Sequence, residues 1–275
     1  MKRSARLVEI THYLLSKPHT LIPLGWFAER YDSAKSSISE DLSIIKEVLE
    51  SEGNGELLTL TGATGGVKYV PKISYSHAKH FIESICRQLE QPERLLPGGY
   101  LYMSDLIGQP AIMNEVGRIF ATHFADRPID VIMTVETKGI PLAYVTGSFL
   151  NLPVVIVRRD PKVTEGSSVS INYISGSNKR INSMTLARRA LKSKSNVLII
   201  DDFMRAGGTI KGMIDLLQEF EAKVQGVGVL VEAGDVNQEE QLIKQYISLA
   251  KLEYVDAKTR EIRLTPGNYF QEGSL

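Results

Sequence analysis

The sequence predicts an α/β chain with a small, mostly helical domain first and a larger parallel-sheet domain after it. Two observations carry this prediction. Up to about residue 72 the apolar residues follow helical spacing and then enter a β-prone hairpin, whereas from about residue 129 aliphatic runs alternate with helical patterns. Aliphatic strands joined by helical crossovers are typical of a parallel sheet covered on both faces. We therefore divide the chain into domains 1–73 and 74–275.

Three helices are expected in the first domain. Apolar residues at helical spacing predict a first helix over 3–17 and a second over 24–31. Asp32 or Ser33 can cap a third helix, because short polar side chains bond the free N–H groups of a first turn. The apolar positions of this third helix fall on one face at spacings of four, three and four, namely Ile38, Leu42, Ile45 and Leu49.

A hairpin follows the helices. In ELLTLTGATGGVKYVP (56–71) two short β-prone runs flank a glycine-containing tip. Three helices and a hairpin make a winged helix-turn-helix, in which the start of the recognition helix reads the major groove. Short hydroxyls there can donate to bases or phosphates, although a merely capped, solvated helix start is the alternative. The residues expected to contact DNA are Lys2, Arg3, Arg6, Ser33, Lys35, Ser36, Ser37, Ser39 and, on the wing, Lys68.

The second domain alternates strands and helices. Its first helix is predicted over 77–93, and a long Ser/Gly/Asn-rich segment over 160–184 is expected to be a mobile loop. The predicted strands are IDVIMTV, LPVVIVRR, SNVLIIDD and VQGVGVLVEA, and the predicted intervening helices lie near 140–150, 184–193 and 209–222.

The stretch VLIIDDFMRAGGTIKG (197–212) runs from a buried strand into a loop of small residues. Ligands of open parallel sheets bind beyond the carboxyl ends of the strands. Asp201 and Asp202 are suited to accept hydrogen bonds from the vicinal hydroxyls of a ribose, while Gly207 and Gly208 let backbone N–H groups approach an anion. The Thr209 hydroxyl can bind phosphate or cap the helix that starts there. A ribose 5′-phosphate site is therefore predicted; a strand–turn–helix with two solvated aspartates is the alternative.

This stretch resembles the phosphoribosyl-pyrophosphate (PRPP) motif of type I phosphoribosyltransferases. VIMTVETKGIPLA (131–143) is again strand, loop and helix, and its Thr137, Lys138 and Gly139 match the place where that family holds pyrophosphate. The resemblance implies a type I phosphoribosyltransferase-like domain that binds PRPP, with or without Mg²⁺. One of the arginines at the next strand end and an upstream tyrosine are added to the expected site. The residues expected to bind PRPP are Tyr102, Thr137, Lys138, Gly139, Arg158, Asp201, Asp202, Phe203, Met204, Arg205, Ala206, Gly207, Gly208 and Thr209.

The whole chain is similar to the purine operon regulators of Gram-positive bacteria, the PurR family. The strongest strings are AKSSISEDL, LLPGGYLYMSD, KVTEGSSVSINYISGS and DDFMRAGGT. The resemblance implies a homodimeric, DNA-binding regulator of purine biosynthesis and salvage genes that PRPP controls and that has no catalytic residues and no required cofactor. An active purine phosphoribosyltransferase does not need a winged helix, so it is the less favoured alternative, and an RNA-binding attenuator is another.

The composition of the chain excludes some classes of protein but does not indicate a function. The formal net charge is zero, so bulk charge does not argue for nucleic acid. Cys86 is the single cysteine and is expected to be a small buried filler in a reducing, cytoplasmic compartment. The N-terminal stretch lacks the apolar run of a signal peptide, and no run is long enough to cross a bilayer, so no membrane partner is expected. His77 and His80 lie three apart, but no third ligand accompanies them and no metal site is predicted.

Overall fold

The computed structural model describes residues 1–62, 65–160, 164, 166–174, 181–236 and 239–271. Contacts divide the chain into two compact units. The first comprises Met1–Ser74 with Ser148–Asn151, and the second comprises Tyr75–Gly147 with Leu152–Leu275.

The first unit is a winged helix-turn-helix, as the sequence predicts. One face of each helix and the inner face of the hairpin close around Phe27 and Ile38, both fully buried. The third helix begins at Lys35 after Ala34, and no side chain caps it, so the expectation that Asp32 or Ser33 caps this helix is wrong. Its elements are α1 (Arg3–Ser16), α2 (Leu24–Arg30), α3 (Lys35–Ser51), β1 (Glu56–Leu60) and β2 (Gly66–Val70).

A buried ion pair ties the first helix of this unit to the third. Asp41 on α3 is fully buried, and its Oδ2 atom lies 2.6 Å from Nε of Arg6 on α1. Arg3, one turn earlier, reaches the other carboxylate oxygen at 3.0 Å. Because two cations share one buried acid, α1 and α3 are fixed by charge as well as by apolar packing.

The second unit opens with helices and short strands that precede its main sheet. Cys86 is 4% exposed on the first of these helices, and burial raises the pKa of its thiol to about 12. The elements are α4 (Tyr75–Leu89), β3 (Leu95–Leu96), β4 (Tyr100–Leu101), α5 (Ser104–Ile107) and α6 (Pro110–Phe124).

A six-stranded sheet forms the centre of the second unit. The four predicted aliphatic strands are present as neighbours and run parallel, and two further strands extend the sheet at one side, the last of them antiparallel. The strand order is β12-β11-β10-β9-β5-β6. The elements after α6 are β5 (Val131–Val135), α7 (Gly139–Leu150), β6 (Val154–Val157), β7 (Ser168–Ile174), β8 (Ile181–Ala187), β9 (Asn196–Met204), α8 (Gly208–Gln218), β10 (Lys223–Ala233), β11 (Ile247–Asp256) and β12 (Glu261–Pro266).

The segment between β6 and β9 departs from its prediction. The helix predicted near 184–193 is wrong, because β8 occupies its first part and a single 3₁₀ turn at Arg188–Ala190 follows. Met184 and Leu186 are buried two residues apart, which is the period of a strand. Within the segment expected to be a mobile loop, β7 and β8 pair antiparallel; residues 161–163, 165 and 175–180 of that loop lie outside the described residues.

The topology brings several strand ends together. β9 runs parallel to both β5 and β10, so the carboxyl ends of these three strands lie at one edge of the sheet. The pair β7–β8 packs on α8: a Cβ added to Gly212 would lie 2.8 Å from Cγ of Tyr173 and 3.0 Å from Sδ of Met184. None of the helices in the described parts of the chain combines the length and the apolar character that a membrane span requires.

Candidate functional site

A cavity of about 900 Å³ lies at the carboxyl ends of β9 and β10. Its floor is the loop between β9 and α8, and its walls come from the β3–β4 turn and from β11. Strand ends in an open sheet are where ligands of such folds bind. The lining residues are Leu96, Pro97, Gly98, Gly99, Tyr100, Leu101, Met103, Lys138, Asp202, Phe203, Met204, Arg205, Ala206, Gly207, Gly208, Thr209, Ile210, Ala233, Asp235, Leu252, Tyr254, Val255 and Ala257.

The loop at 204–209, here called the phosphate loop, exposes backbone donors to this cavity. Gly207 has a φ of 82°, a left-handed conformation that glycine adopts without strain, and no side chain caps the α8 start that follows it. The free N–H groups of that first turn are therefore available to an anion. The back of the loop is held by the Leu242 N–H, which donates to the Ala206 carbonyl at 3.0 Å.

The two adjacent aspartates do not share one environment. Asp202 lines the cavity, whereas Asp201 is 4% exposed and lies beneath Gly139, where an added Cβ would come within 2.9 Å of its Oδ1 atom. Both residues belong to β9, and successive side chains on a strand point to opposite faces. Asp202 therefore faces the cavity while Asp201 is buried beneath Gly139, and the assignment of the two residues as paired ribose acceptors stays a prediction.

Burial weakens the ionisation of both acids. It raises the pKa of Asp201 well above the ordinary carboxyl value, and the nearby charge of Asp202 raises it further. Burial also raises the pKa of Asp202, while the hydrogen bond with Asp201 and the Lys138 ammonium act in the opposite direction. A hydroxyl donor and a cation are the groups that would stabilise these carboxylates, and a sugar phosphate with its counter-ion supplies both.

The loop after β5 brings one predicted residue to the cavity. Lys138 lines it, whereas Thr137 and Gly139 flank the lysine without lining the cavity. The peptide bond between Glu136 and Thr137 is cis. Lys138 thus presents a positive charge on the side of Asp202 opposite to β10.

Arg158 directly follows β6 and contacts Glu136 after β5. Its Nη1 atom lies 3.5 Å from Oε2 of Glu136, and the Arg159 N–H donates to Oε1 of the same residue at 2.8 Å. Its backbone pairs with Thr185 on β8. Arg158 therefore links the segments after β5 and β6 to β8 and is not among the residues that line the cavity; its assignment as a ligand contact stays a prediction.

The assignment of Tyr102 to the ligand site stays a prediction, since another tyrosine lines this cavity. Tyr102 lies after β4, with its N–H bonded to the Arg94 carbonyl at 2.8 Å, and does not line the cavity. Tyr100 lines it instead, because Gly98 and Gly99 turn the chain at positive φ just before that residue. The glycine pair is the signal that could have indicated this turn.

Two further lining residues carry no local signal in the sequence. Tyr254 stands on β11, far along the chain from the motif, and Asp235 follows β10. Asp235 pairs with Arg205 of the phosphate loop at 2.5 Å. Only the folded topology brings these residues to the cavity.

The start of α3 presents the predicted hydroxyl face in part. Lys35, Ser36 and Ser39 are exposed, and Ser37 is half-buried. Ser33 is engaged internally, since its Oγ accepts from Arg6 at 3.0 Å and donates to the Tyr31 carbonyl at 3.0 Å. The helix start has no side-chain cap, so its free N–H groups can bind a DNA phosphate.

The basic residues expected at DNA, with Lys2, Arg3 and Arg6 at its backbone and Lys68 along the minor groove, divide into two groups. Lys2 is exposed, and Lys68 is partly exposed on the wing, paired across the hairpin with Leu58. Arg6 is 9% exposed and held by Asp41, so its assignment as a phosphate contact is corrected: its charge is already neutralised inside the unit. Arg3 binds Asp41, but about half of its side chain is exposed and accessible to a DNA phosphate.

The two histidines of the fourth helix contact different groups. Nε2 of His77 lies 3.4 Å from a carboxylate oxygen of Glu115, and Nδ1 of His80 lies 2.7 Å from the Ser76 carbonyl. Among the described residues, no group of three His, Cys, Asp or Glu side chains could hold a metal ion.

Comparison with known proteins follows the same division of the chain. Residues 2–71 match the family model for the N-terminal domain of the bacterial purine repressor, and residues 104–262 match that of the phosphoribosyl transferase domain. The adenine phosphoribosyltransferase of Thermoanaerobacter pseudethanolicus superposes with a TM-score of 0.54 at 19% identity, over 62% of this chain and 99% of that one, which shows the shared fold.

Two curated relatives match along nearly the whole chain. The purine biosynthesis transcriptional repressor PurR of Bacillus subtilis is 58% identical over 270 residues, which are 98% of this chain and 94% of the relative. The purine biosynthesis transcriptional activator PurR of Lactococcus lactis is 43% identical over 272 residues, covering 99% of this chain and all of the relative. The chain therefore belongs to the PurR family of purine biosynthesis transcriptional regulators.

Proposed function

We propose that this protein is a DNA-binding transcriptional regulator of purine biosynthesis and salvage genes, and that PRPP controls it by binding to the cavity without being transformed. The observation that carries the proposal is the presence in one chain of a winged helix with an exposed, hydroxyl-rich helix start and a strand-end cavity with an uncapped glycine loop. Curated relatives matched along nearly the whole chain are named as regulators, which supports a sensor rather than an enzyme.

The cavity offers a donor or acceptor for each part of PRPP. The phosphate loop can supply backbone N–H groups to the 5′-phosphate, Asp202 can accept from a ribose hydroxyl, and Lys138 can offer a positive charge to the pyrophosphate. Mg²⁺ binds proteins through one or two carboxylates together with ligand phosphates. Asp202 is the carboxylate available for this, so we expect Mg²⁺ to enter with the ligand and not as a resident cofactor.

The winged helix supplies the DNA contacts. Lys35, Ser36 and Ser39 are exposed at the start of α3, which supports their contact with the major groove, and we expect Lys2 at the phosphate backbone and Lys68 along the minor groove. Because readers of this class bind paired half-sites as dimers, we expect a homodimer. The names of the relatives include both a repressor and an activator, so the direction of control is left to experiment.

The test is duplex binding with and without the effector. Genome-wide footprinting under purine excess and purine starvation would identify the target sites, and binding of the full-length protein to such a duplex would be measured by fluorescence anisotropy. We expect PRPP with Mg²⁺ to change the Kd by roughly 5- to 150-fold, the usual range of allosteric coupling. Asp202→Ala should abolish that response while leaving DNA binding intact.

The alternatives give different results in the same preparation. Release of pyrophosphate on incubation with PRPP and a purine base would identify an active phosphoribosyltransferase. Preference for RNA over duplex DNA would identify an RNA-binding attenuator. Duplex binding that PRPP does not alter would overturn the proposed control.

A further inference from the structure

An ion pair joins two segments that line the cavity. Arg205 belongs to the phosphate loop after β9, and Asp235 follows β10. Nη2 of Arg205 lies 2.5 Å from Oδ2 of Asp235, and each side chain is 51% exposed. Both residues line the cavity, so the pair lies where a ligand would enter and not in the core.

The sheet determines that these two residues meet. β9 and β10 run parallel, with Phe203 opposite Val231 and Met204 opposite Glu232. The chain leaves both strands at the same level, and the next charged residue on each side is a member of the pair. Strand register therefore brings the two residues to the same edge of the sheet.

The cations of the cavity are shared with carboxylates. Among the described lining residues, two are cationic, Lys138 and Arg205, and two are acidic, Asp202 and Asp235. The positive charge of Lys138 lowers the pKa of Asp202, although burial of Asp202 raises that pKa by more. The second cation, Arg205, is occupied by Asp235. A polyanionic ligand must therefore compete with resident carboxylates for positive charge.

We propose that Asp235 is a resident competitor for Arg205, which the 5′-phosphate of the ligand displaces, and that this competition sets the effector concentration to which the protein responds. This inference rests on the proposed function. A phosphate carries more charge than a carboxylate and accepts the same bidentate hydrogen bonds from a guanidinium, so the exchange favours the ligand. Asp235 lowers the affinity in two ways, by occupying Arg205 and by repelling the phosphate.

Calorimetry on the full-length protein tests this with three ligands. Asp235→Asn should lower the Kd for PRPP and for ribose 5-phosphate by about three- to tenfold at low salt. Release of Arg205 from an exposed ion pair accounts for a factor of up to about five in Kd, and removal of the negative charge near the phosphate adds to it. The Kd for pyrophosphate alone should not change, because Arg205 lies in the phosphate loop and Lys138 lies across the cavity from it. The gain should shrink as salt is raised.

Two further variants isolate the pair. In an Arg205→Gln background, Asp235→Asn should change the Kd by about twofold or less, because the competition it relieves is already absent. Asp215→Asn is the matched control: Asp215 forms an ion pair with Lys211 on the exposed face of α8, away from the cavity lining, and its loss should leave all three Kd values unchanged. Circular dichroism would verify that each variant folds.

The outcomes separate this inference from the function on which it rests. If the wild type binds PRPP but Asp235→Asn binds ribose 5-phosphate no more tightly, Asp235 does not compete and the inference is overturned. Equal gains with and without Arg205 would overturn it as well, because the effect would then be general electrostatics. A wild type that binds none of the ligands would overturn the proposed PRPP control itself.

Discussion

Replacing Asp41 should unfold the winged helix far more readily than replacing its neighbour Glu40. Asp41 is fully buried and neutralises Arg6, whose side chain is only 11% exposed, at 2.6 Å. Asp41→Asn would leave that guanidinium without a counter-charge, and breaking a buried pair from one side costs about 3–5 kcal/mol. For a domain of this size the loss corresponds to a fall in Tm of about 12 °C or more.

The adjacent acid provides the control. Glu40 contacts Arg3 at 3.5 Å with 70% of its side chain exposed, so Glu40→Gln should cost about 0.5 kcal/mol or less. Both variants remove one negative charge from the same turn of α3. The difference between them therefore measures burial rather than net charge.

The chain contains a convenient probe for this measurement. Trp26 is the single tryptophan and is stacked on Tyr13 within the winged helix, with ring centroids 4.4 Å apart. Urea unfolding followed by tryptophan fluorescence should thus report the first unit of the full-length protein. An Asp41→Asn cost below about 1 kcal/mol would refute the argument, since it would place the pair among ordinary surface contacts.

Three other predictions concern the second unit. Gly207→Ala should cost about 1–3 kcal/mol and weaken PRPP binding, because an alanine at φ 82° is strained and its Cβ would lie 2.8 Å from Ile243. Gly166→Ala, at φ 75° with no atom of the described residues within 4 Å of the added Cβ, should cost about 1 kcal/mol and leave binding unchanged. Urea unfolding and calorimetry check both variants, and equal effects would contradict the packing argument. Asp202→Asn should raise the free energy of unfolding at neutral pH, because burial raises the pKa of Asp202 above 3.8 and its charged form therefore destabilises the folded state. This destabilisation is lost as the pH falls through the folded-state pKa, so the gain in the variant should vanish toward pH 4. A gain that persists in acid would contradict the assignment. Cys86, with a pKa of about 12, should resist alkylation at pH 8 until the chain is denatured, as mass spectrometry would show; rapid labelling of the folded protein would be incompatible with this burial.

Local periodicity predicted most of the architecture. The third helix of the winged domain was predictable because its buried positions, from Ile38 to Leu49, follow the helical period within a single element. The central strands were predictable because a strand buried on both faces is aliphatic throughout, as VLII at 197–200 is. In both cases the sequence window that carries the signal lies within one element.

The misassignments share a physical origin in contacts between distant segments. Arg6 resembles any cation near an N-terminus until the fold places Asp41 against it, 35 residues later. The contact of Arg158 with Glu136 across two strand ends likewise has no local signal in the sequence. For 184–193, the alternation of Met184 and Leu186 was too short to distinguish from a helix without the packing surface of α8. Motif residues were predictable by type, but their partners were not.

The two units differ in how they could be exchanged between proteins. The hydrophobic core of the winged helix is built from residues within 7–69, and Ser148–Asn151 is the segment from later in the chain that the unit includes. The cavity, in contrast, draws its lining from Leu96 through Ala257, with strands of the same sheet in between. A chimera can therefore change the DNA specificity by exchanging the short N-terminal domain. Transfer of the ligand-binding cavity to another protein requires nearly all of the second domain as one continuous segment.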